Sequence, residues 1–486
     1  MAAPRAPRDS VTTMLPFDAD PVLAEAWELS RERRRARIAI ERARPGPADD
    51  EEVLRADLAR LDDRLDALLA VPEHRELVGK ALDERARTLR IAVGAHREEV
   101  ARRDRLDAAE RIVGRAVATG RAPTSKERER ISSLRQQPEN RTWEAGITSP
   151  QRRDGVLEAL ATVRLREARA QLRDGLLLTE QMRGIIAEAL PAVLRGDPVL
   201  FVGETGGAKT ALAEHLARHG AGEEPELVSG YGDITSAQLI GAHELRAEGG
   251  ATVSAFVPGP MLRAMQEGRP VILDELNAMP AEFLKRLNRI LQLRPGDRMG
   301  VQEDAGREIR IAPGFSILAT ANEQTPHRYR GLDRLSAELV NRFGANGYRV
   351  HYPDAGRGYD EFPAENALLA TAAVADERGE LPAWLSADGL MRAARAAFIS
   401  QQVFAGSHGA GFADYVSTER GIDGRPGLDE AVLAPRTLVA IVQKAAGSGG
   451  SVTLDRALAR FVESVMHRED RRVLALILEG QGFALR

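Results

Sequence analysis

Residues 198–219 read PVLFVGETGGAKTALAEHLARH. An apolar run of strand length is followed by a Gly-rich turn and then by a helical pattern. Gly203, Glu204, Thr205, Gly206, Gly207, Ala208, Lys209 and Thr210, with Ala211 beyond, nearly spell G-x-x-x-x-G-K-S/T. They do so in the strand–loop–helix setting that gives this motif its meaning. Glycines let backbone N–H groups turn inward around phosphate oxygens, and the helix N-terminus adds a favourable dipole. Lys209 is placed to neutralise β- and γ-phosphates, and Thr210 to offer its hydroxyl to Mg²⁺. Ala208 stands where the motif expects Gly. If that position needs a positive φ, Ala costs about 1 kcal/mol.

Working outward, PVILDEL (270–276) is a buried strand that delivers Asp274 and Glu275 to its C-terminal end, where ligands sit in parallel sheets. Asp274 suits a Mg²⁺ ligand acting through water, and Glu275 a base that orients and deprotonates an attacking water. Taken alone, such a pair is as often a solvated turn; beside the Gly-rich loop, the chemical reading prevails. FSILATAN (315–322) is a further strand, and its final Asn322 can fix a water beside Glu275, although Asn is also common at strand ends. Arg342 in LSAELVNRFG and Arg436 in LAPRTLVA can each reach a phosphate, as an arginine finger does. The plainer alternative for both is a surface ion pair.

With ELVS (226–229) and YRVHYP (348–353), these runs alternate with helical patterns, which argues for a parallel sheet covered on both faces. Ahead of them, residues 1–20 are Pro-rich and polar and read as a disordered arm. Residues 21–175 read as helical throughout. Leu54, Leu58, Leu61, Leu65 and Leu68 follow a 4-3-4-3 spacing that puts one seam on a helix ending at Pro72. A second pattern carries Leu82, Leu89 and Val93, so an antiparallel coiled-coil hairpin is expected. Residues 176–355 hold the α/β pattern, and 356–486 return to helices.

The 486 residues carry 68 basic and 72 acidic side chains, a net charge of −4, which disfavours a nucleic-acid partner held by overall charge. Only five of the cations are Lys, so Lys209 is uncommon by type. Cys is absent, which excludes disulfides, thiolate metal sites and Cys nucleophiles. No apolar run is long enough to span a membrane, and the N-terminus lacks a signal-peptide core, so a cytoplasmic protein is expected. The nine His show no ligand spacing. His215, His243 and His351 read as structural or surface residues, and no zinc site is expected.

The ordered set GETGGAKT, VILDEL, ATAN, NRFG and APR resembles the AAA+ ATPases, and within them the MoxR and dynein-related, midasin-like branch. LDELNAMP fits that branch's strand-ending acidic pair, and ATAN and HYP its A-T-x-N and YP signatures. ELRAEGGATVSAFVPGPMLRAMQEG, with a turn at Gly249-Gly250, resembles its helix-2 insert, and MGVQEDAGREIRI its hairpin before the sensor strand. The resemblance spans about residues 178–475 and implies a P-loop ASCE sheet ordered 5-1-4-3-2 with a C-terminal helical lid. It also implies ATP and Mg²⁺ at the interfaces of a homo-oligomeric ring, usually a hexamer. By resemblance, Lys209 and Thr210 fall on Walker A and Asp274 and Glu275 on Walker B. Asn322 falls on sensor 1, Arg342 on the finger given to a neighbour, and Arg436 on sensor 2. The expected function is ATP-driven remodelling of a protein client of the von Willebrand A-domain class. A nucleic-acid-stimulated motor and a nucleotide-gated scaffold are the alternatives.

Overall fold

The computed structural model describes residues 20–42, 48–118, 121–135, 147, 150–232, 234–248, 251–323, 335–407 and 409–485. The arm expected over 1–20 lies outside them except for Asp20, as does the Gly249-Gly250 turn. The described residues group into two compact units: those within 1–101 and 139–164, and those within 102–138 and 165–486. Among them, no helix is long and apolar enough to cross a membrane.

The larger unit is built on five parallel strands: β1 (Val199–Gly203), β2 (Glu226–Ser229), β5 (Pro270–Asp274), β8 (Ser316–Asn322) and β9 (Gly347–Val350). Their order is β2-β5-β8-β1-β9. Numbered along the chain among themselves, this is 5-1-4-3-2 read from the far edge, as expected. β8 is buried at every residue and β5 at all but its last, which explains their unbroken apolar sequence. Register places Gly203 of β1 beside both Asn322 of β8 and Val350 of β9, so three strand ends meet where the Gly-rich loop begins. Across the sheet, Ser229 of β2 pairs with Asp274 of β5.

Two hairpins stand apart from this sheet. β3 (Gly241–Glu248) pairs antiparallel with β4 (Ala251–Pro258), and β6 (Arg298–Val301) with β7 (Arg307–Arg310). Both occupy the segments whose sequence resembles the two family hairpins. The lid that follows is helical, with Ala364–Val374, Ala387–Phe404, Pro435–Gly447, Leu454–Ser464 and Arg468–Gly480. Its core is rich in alanine along Ala387–Phe404, where Ala393, Ala394, Ala396 and Ala397 are all fully buried beside Phe398. Small side chains let the helices approach closely.

The smaller unit contains α1 (Pro21–Arg42), α2 (Ala48–Ala70) and the first part of α3 (Pro72–Ala118). The helix carrying the leucine seam does end just before Pro72. Its partner, however, is upstream: α2 packs on α1, with Arg33 paired to Asp62 and Glu25 to Arg64. The expected second seam on α3 also differs. Leu82 is 52% exposed, and within the smaller unit the buried positions of α3 are Thr88, Ala92 and Ala95. Ala92 and Ala95 meet Val156 and Leu160 of the Pro150–Arg173 helix, flanked by the ion pairs Glu84–Arg152 and Glu99–Arg164. Leucine spacing is the wrong cue because α3 turns its alanines, not its leucines, to this contact.

Candidate active site

The loop after β1 takes a shape that its glycines allow. Gly206 has φ +77, and a Cβ on Gly203 would lie 2.2 Å from the Val350 carbonyl oxygen. Ala208 sits immediately before the Lys209–His215 helix with φ +63 and ψ +26. The position therefore does require the left-handed region, and Ala occupies it at a cost of about 1 kcal/mol. Tyr352, the middle residue of the HYP signature, braces the loop by donating its hydroxyl to the Thr205 carbonyl at 2.7 Å.

Lys209 is 8% exposed. Its Nζ donates to the Gly203 carbonyl at 3.0 Å, the Glu204 carbonyl at 2.9 Å and Asn322 Oδ1 at 3.0 Å. Burial pushes this ammonium down to about 8, opposed by the charges of Glu204, Asp274 and Glu275 and abetted by that of Arg436. Such a cation, surrounded by neutral acceptors and short of solvent, gains from an incoming anion.

One carboxylate oxygen joins the loop to the acidic pair. Asp274 Oδ1 accepts from Thr210 Oγ1 and from Thr320 Oγ1, both at 2.6 Å. The same Thr320 hydroxyl accepts from the Glu275 backbone N–H at 3.0 Å. Glu275 has φ +53, a conformation that costs a non-glycine residue about 1–3 kcal/mol and persists where neighbours over-determine it. Here Thr320 supplies that hold, and Glu275 stays exposed just beyond the C-terminal end of β5. Asn277 fixes the neighbouring strand end. Its side chain donates to the Asn322 carbonyl and accepts from the Asn322 N–H, both at 3.3 Å.

The structure thus brings together Gly203, Glu204, Lys209, Thr210, Asp274, Glu275 and Asn322. Arg436, exposed at the start of the Pro435–Gly447 helix, lies near enough for its charge to act on Lys209. The residue at that helix's N-terminus, Ala434, would stand 2.7 Å from a Cβ on Gly206. Arg342 is different: exposed on the Ala337–Phe343 helix, it pairs with Glu338 at 3.2 Å and takes no part in this cluster. Thr320, Asn277 and Tyr352 were not foreseen as site residues, although each lies inside a motif the sequence displays. For Thr320 and Asn277 the signal is a polar side chain two positions from Asn322 and Glu275.

Histidines converge more than their sequence scatter suggests. His215 and His219, four apart, have ring centroids 4.5 Å apart, and His219 Nε2 lies 2.9 Å from Asp174. Burial, then the neighbouring His219, holds His215 below the usual imidazole range. A second group is Asp429, His467 and Asp470, in which Asp470 accepts backbone N–H groups from Asp429, Glu430 and Ala431.

Comparison with known proteins gives the same reading. Residues 198–343 match the family model for the AAA domain of the dynein-related subfamily. This segment belongs to the AAA+ ATPases of the dynein-related branch. The uncharacterized protein YojN of Bacillus subtilis is 33% identical over 159 residues, covering 33% of this chain and 50% of that protein. Midasin of Giardia intestinalis is 31% identical over 194 residues, which are 40% of this chain and 4% of midasin. The chain therefore spans about half the length of the bacterial relative and a small part of midasin. Among solved structures, NtrX from Brucella abortus covers 69% of this chain and 77% of its own, at 16% identity and a TM-score of 0.33.

Proposed function

We propose that this AAA+ protein hydrolyses ATP with Mg²⁺ and uses the energy to remodel or activate a protein partner, as a MoxR-like homo-oligomeric ring, a hexamer, in the cytoplasm. The observation that carries the reading is a pair of hydrogen-bonded links from the loop to the strand ends, Lys209 to Asn322 and Thr210 through Asp274 and Thr320 to the Glu275 backbone. The loop amides from Gly203 to Ala211 wrap the phosphates, with Lys209 as their countercharge. Thr210 and Asp274, already oxygen to oxygen, are the hydroxyl and carboxylate that Mg²⁺ takes as ligands or through water. The metal would neutralise phosphate charge. Glu275 orients and deprotonates the attacking water, Asn322 positions it, and Arg436 meets the phosphates from the lid.

Arg342 is assigned as a finger to the neighbouring subunit, which accords with its exposed position away from its own loop. Arg342→Ala should bind ATP nearly normally and hydrolyse it far more slowly, since such fingers contribute about 10³–10⁵ in rate. Lys209→Ala has a dead pocket and a sound finger. Mixing the two inactive proteins should restore part of the turnover. If mixed assemblies form and no activity returns at any ratio, Arg342 is not a trans finger. The client is assigned to the von Willebrand A-domain class on resemblance alone, and pull-down with such a domain tests it. ATP turnover stimulated by DNA or RNA would favour the motor reading instead, against which stands the net charge of −4.

A further inference from the structure

The lid core is apolar, yet Asn366, Ser400 and Gln401 are fully buried within it. Leucine would fill the space of Gln401 with no polar group to satisfy, whereas a buried amide left unpaired costs about 1–3 kcal/mol. The amides are fully engaged, and the pattern of their bonds is directional. Asn366 and Gln401 face each other and exchange two hydrogen bonds, Nδ2 to Oε1 at 3.1 Å and Nε2 to Oδ1 at 3.0 Å. Gln401 Nε2 donates again to the Leu433 carbonyl at 2.8 Å, while Ser400 Oγ accepts from the Leu433 N–H at 3.2 Å. Both polar groups of the Leu433 backbone are therefore held by adjacent residues of one helix.

The other side of the pair leads back to the sheet. Asn366 Nδ2 donates to Asp354 Oδ2 at 3.0 Å, and the same carboxylate accepts the N–H groups of Glu365 and Asn366 at 3.0 and 2.9 Å. Asp354 is buried, has φ +59 and is also paired with Arg357 at 3.1 Å. It lies two residues after Tyr352, whose hydroxyl holds the Thr205 carbonyl of the phosphate loop. Beyond Leu433 come Ala434, packed against Gly206 of that same loop, and Arg436. The path leaves the loop at Thr205, crosses the lid core and returns at Gly206.

We infer that Asn366 and Gln401 are positioning residues that fix the Leu433–Arg436 turn against the phosphate loop and so set the Arg436 guanidinium over the nucleotide. This rests on the reading of Arg436 given above. Apolar contacts alone let a helix slide by fractions of an ångström, whereas a bidentate amide pair is either made or broken. A polar link inside an otherwise apolar core thus specifies one lid position instead of adding stability.

The test is the volume-conserving Gln401→Leu in the full chain, with Ser400→Ala as a milder variant that removes only the acceptor for the Leu433 N–H. Nucleotide affinity should stay within about threefold, because Lys209 and the loop amides are untouched, while kcat falls about tenfold or more for Gln401→Leu and less for Ser400→Ala. In an Arg436→Ala background, Gln401→Leu should lower kcat by less than about twofold, since residues acting through one another are non-additive. Losses that multiply in the double variant, or an unchanged kcat in Gln401→Leu, overturn the inference and leave the role of Arg436 standing. An Arg436→Ala protein with unchanged kcat overturns that role, and the inference with it.

Discussion

The phosphate-loop region and the N-terminal helices are held together by different means. Around Lys209 the side chains have named polar partners, and exchanging one residue type for another breaks a particular bond. In the smaller unit the contact between α3 and the Pro150–Arg173 helix rests on Ala92, Ala95, Val156 and Leu160, with exposed ion pairs at its margins. Chemistry dictates identity in the first region. In the second, size is nearly all that matters, and many sequences would serve.

That contrast can be broken most directly at Lys209. Lys209→Ala should weaken ATP binding by about 100-fold or more, roughly 2.7 kcal/mol, with the fold intact by circular dichroism. Retained tight binding would show that the loop amides suffice and that its countercharge is dispensable. For the helical unit the corresponding change is one of volume. Ala95→Leu overfills a site that is 1% exposed and should lower unfolding stability by about 1–3 kcal/mol in urea titration, without altering nucleotide affinity.

Smaller effects sharpen the comparison. Ala208 holds a left-handed φ in the folded loop, so its strain is one that the fold itself carries. Ala208→Gly should therefore raise folding stability by up to about 1 kcal/mol and leave ATP affinity nearly unchanged. A gain in affinity alone would mean that the strained backbone forms only on binding. Leu82→Ala is the smallest: at 52% exposure it should cost less than about 0.5 kcal/mol despite its place in a heptad-like pattern.

These cases mark what the sequence makes legible. The cluster of Lys209, Thr210, Asp274, Glu275 and Asn322 follows from residues whose chemistry admits few substitutes, and the strand order and the hairpins from the family resemblance that those motifs carry. The partners that hold them, Thr320, Asn277 and Tyr352, are ordinary residue types whose roles depend on register between strands distant in sequence. Helix pairing in the N-terminal unit was misread for a related reason. Leucine periodicity marks an apolar stripe but does not name its partner, and an alanine contact gives little periodic signal at all. The buried Asn366–Gln401 pair is equally silent, because only the folded lid brings the two amides together.

In the proposed function Glu275, held in its left-handed conformation by Thr320, deprotonates the water that attacks ATP. The measurement is ATP turnover and ATP affinity of Glu275→Gln beside the unaltered chain. The amide fills the same space but cannot take the proton, so affinity should stay within about threefold while turnover falls about 10²–10⁴-fold. Turnover that continues at the original rate would contradict the account.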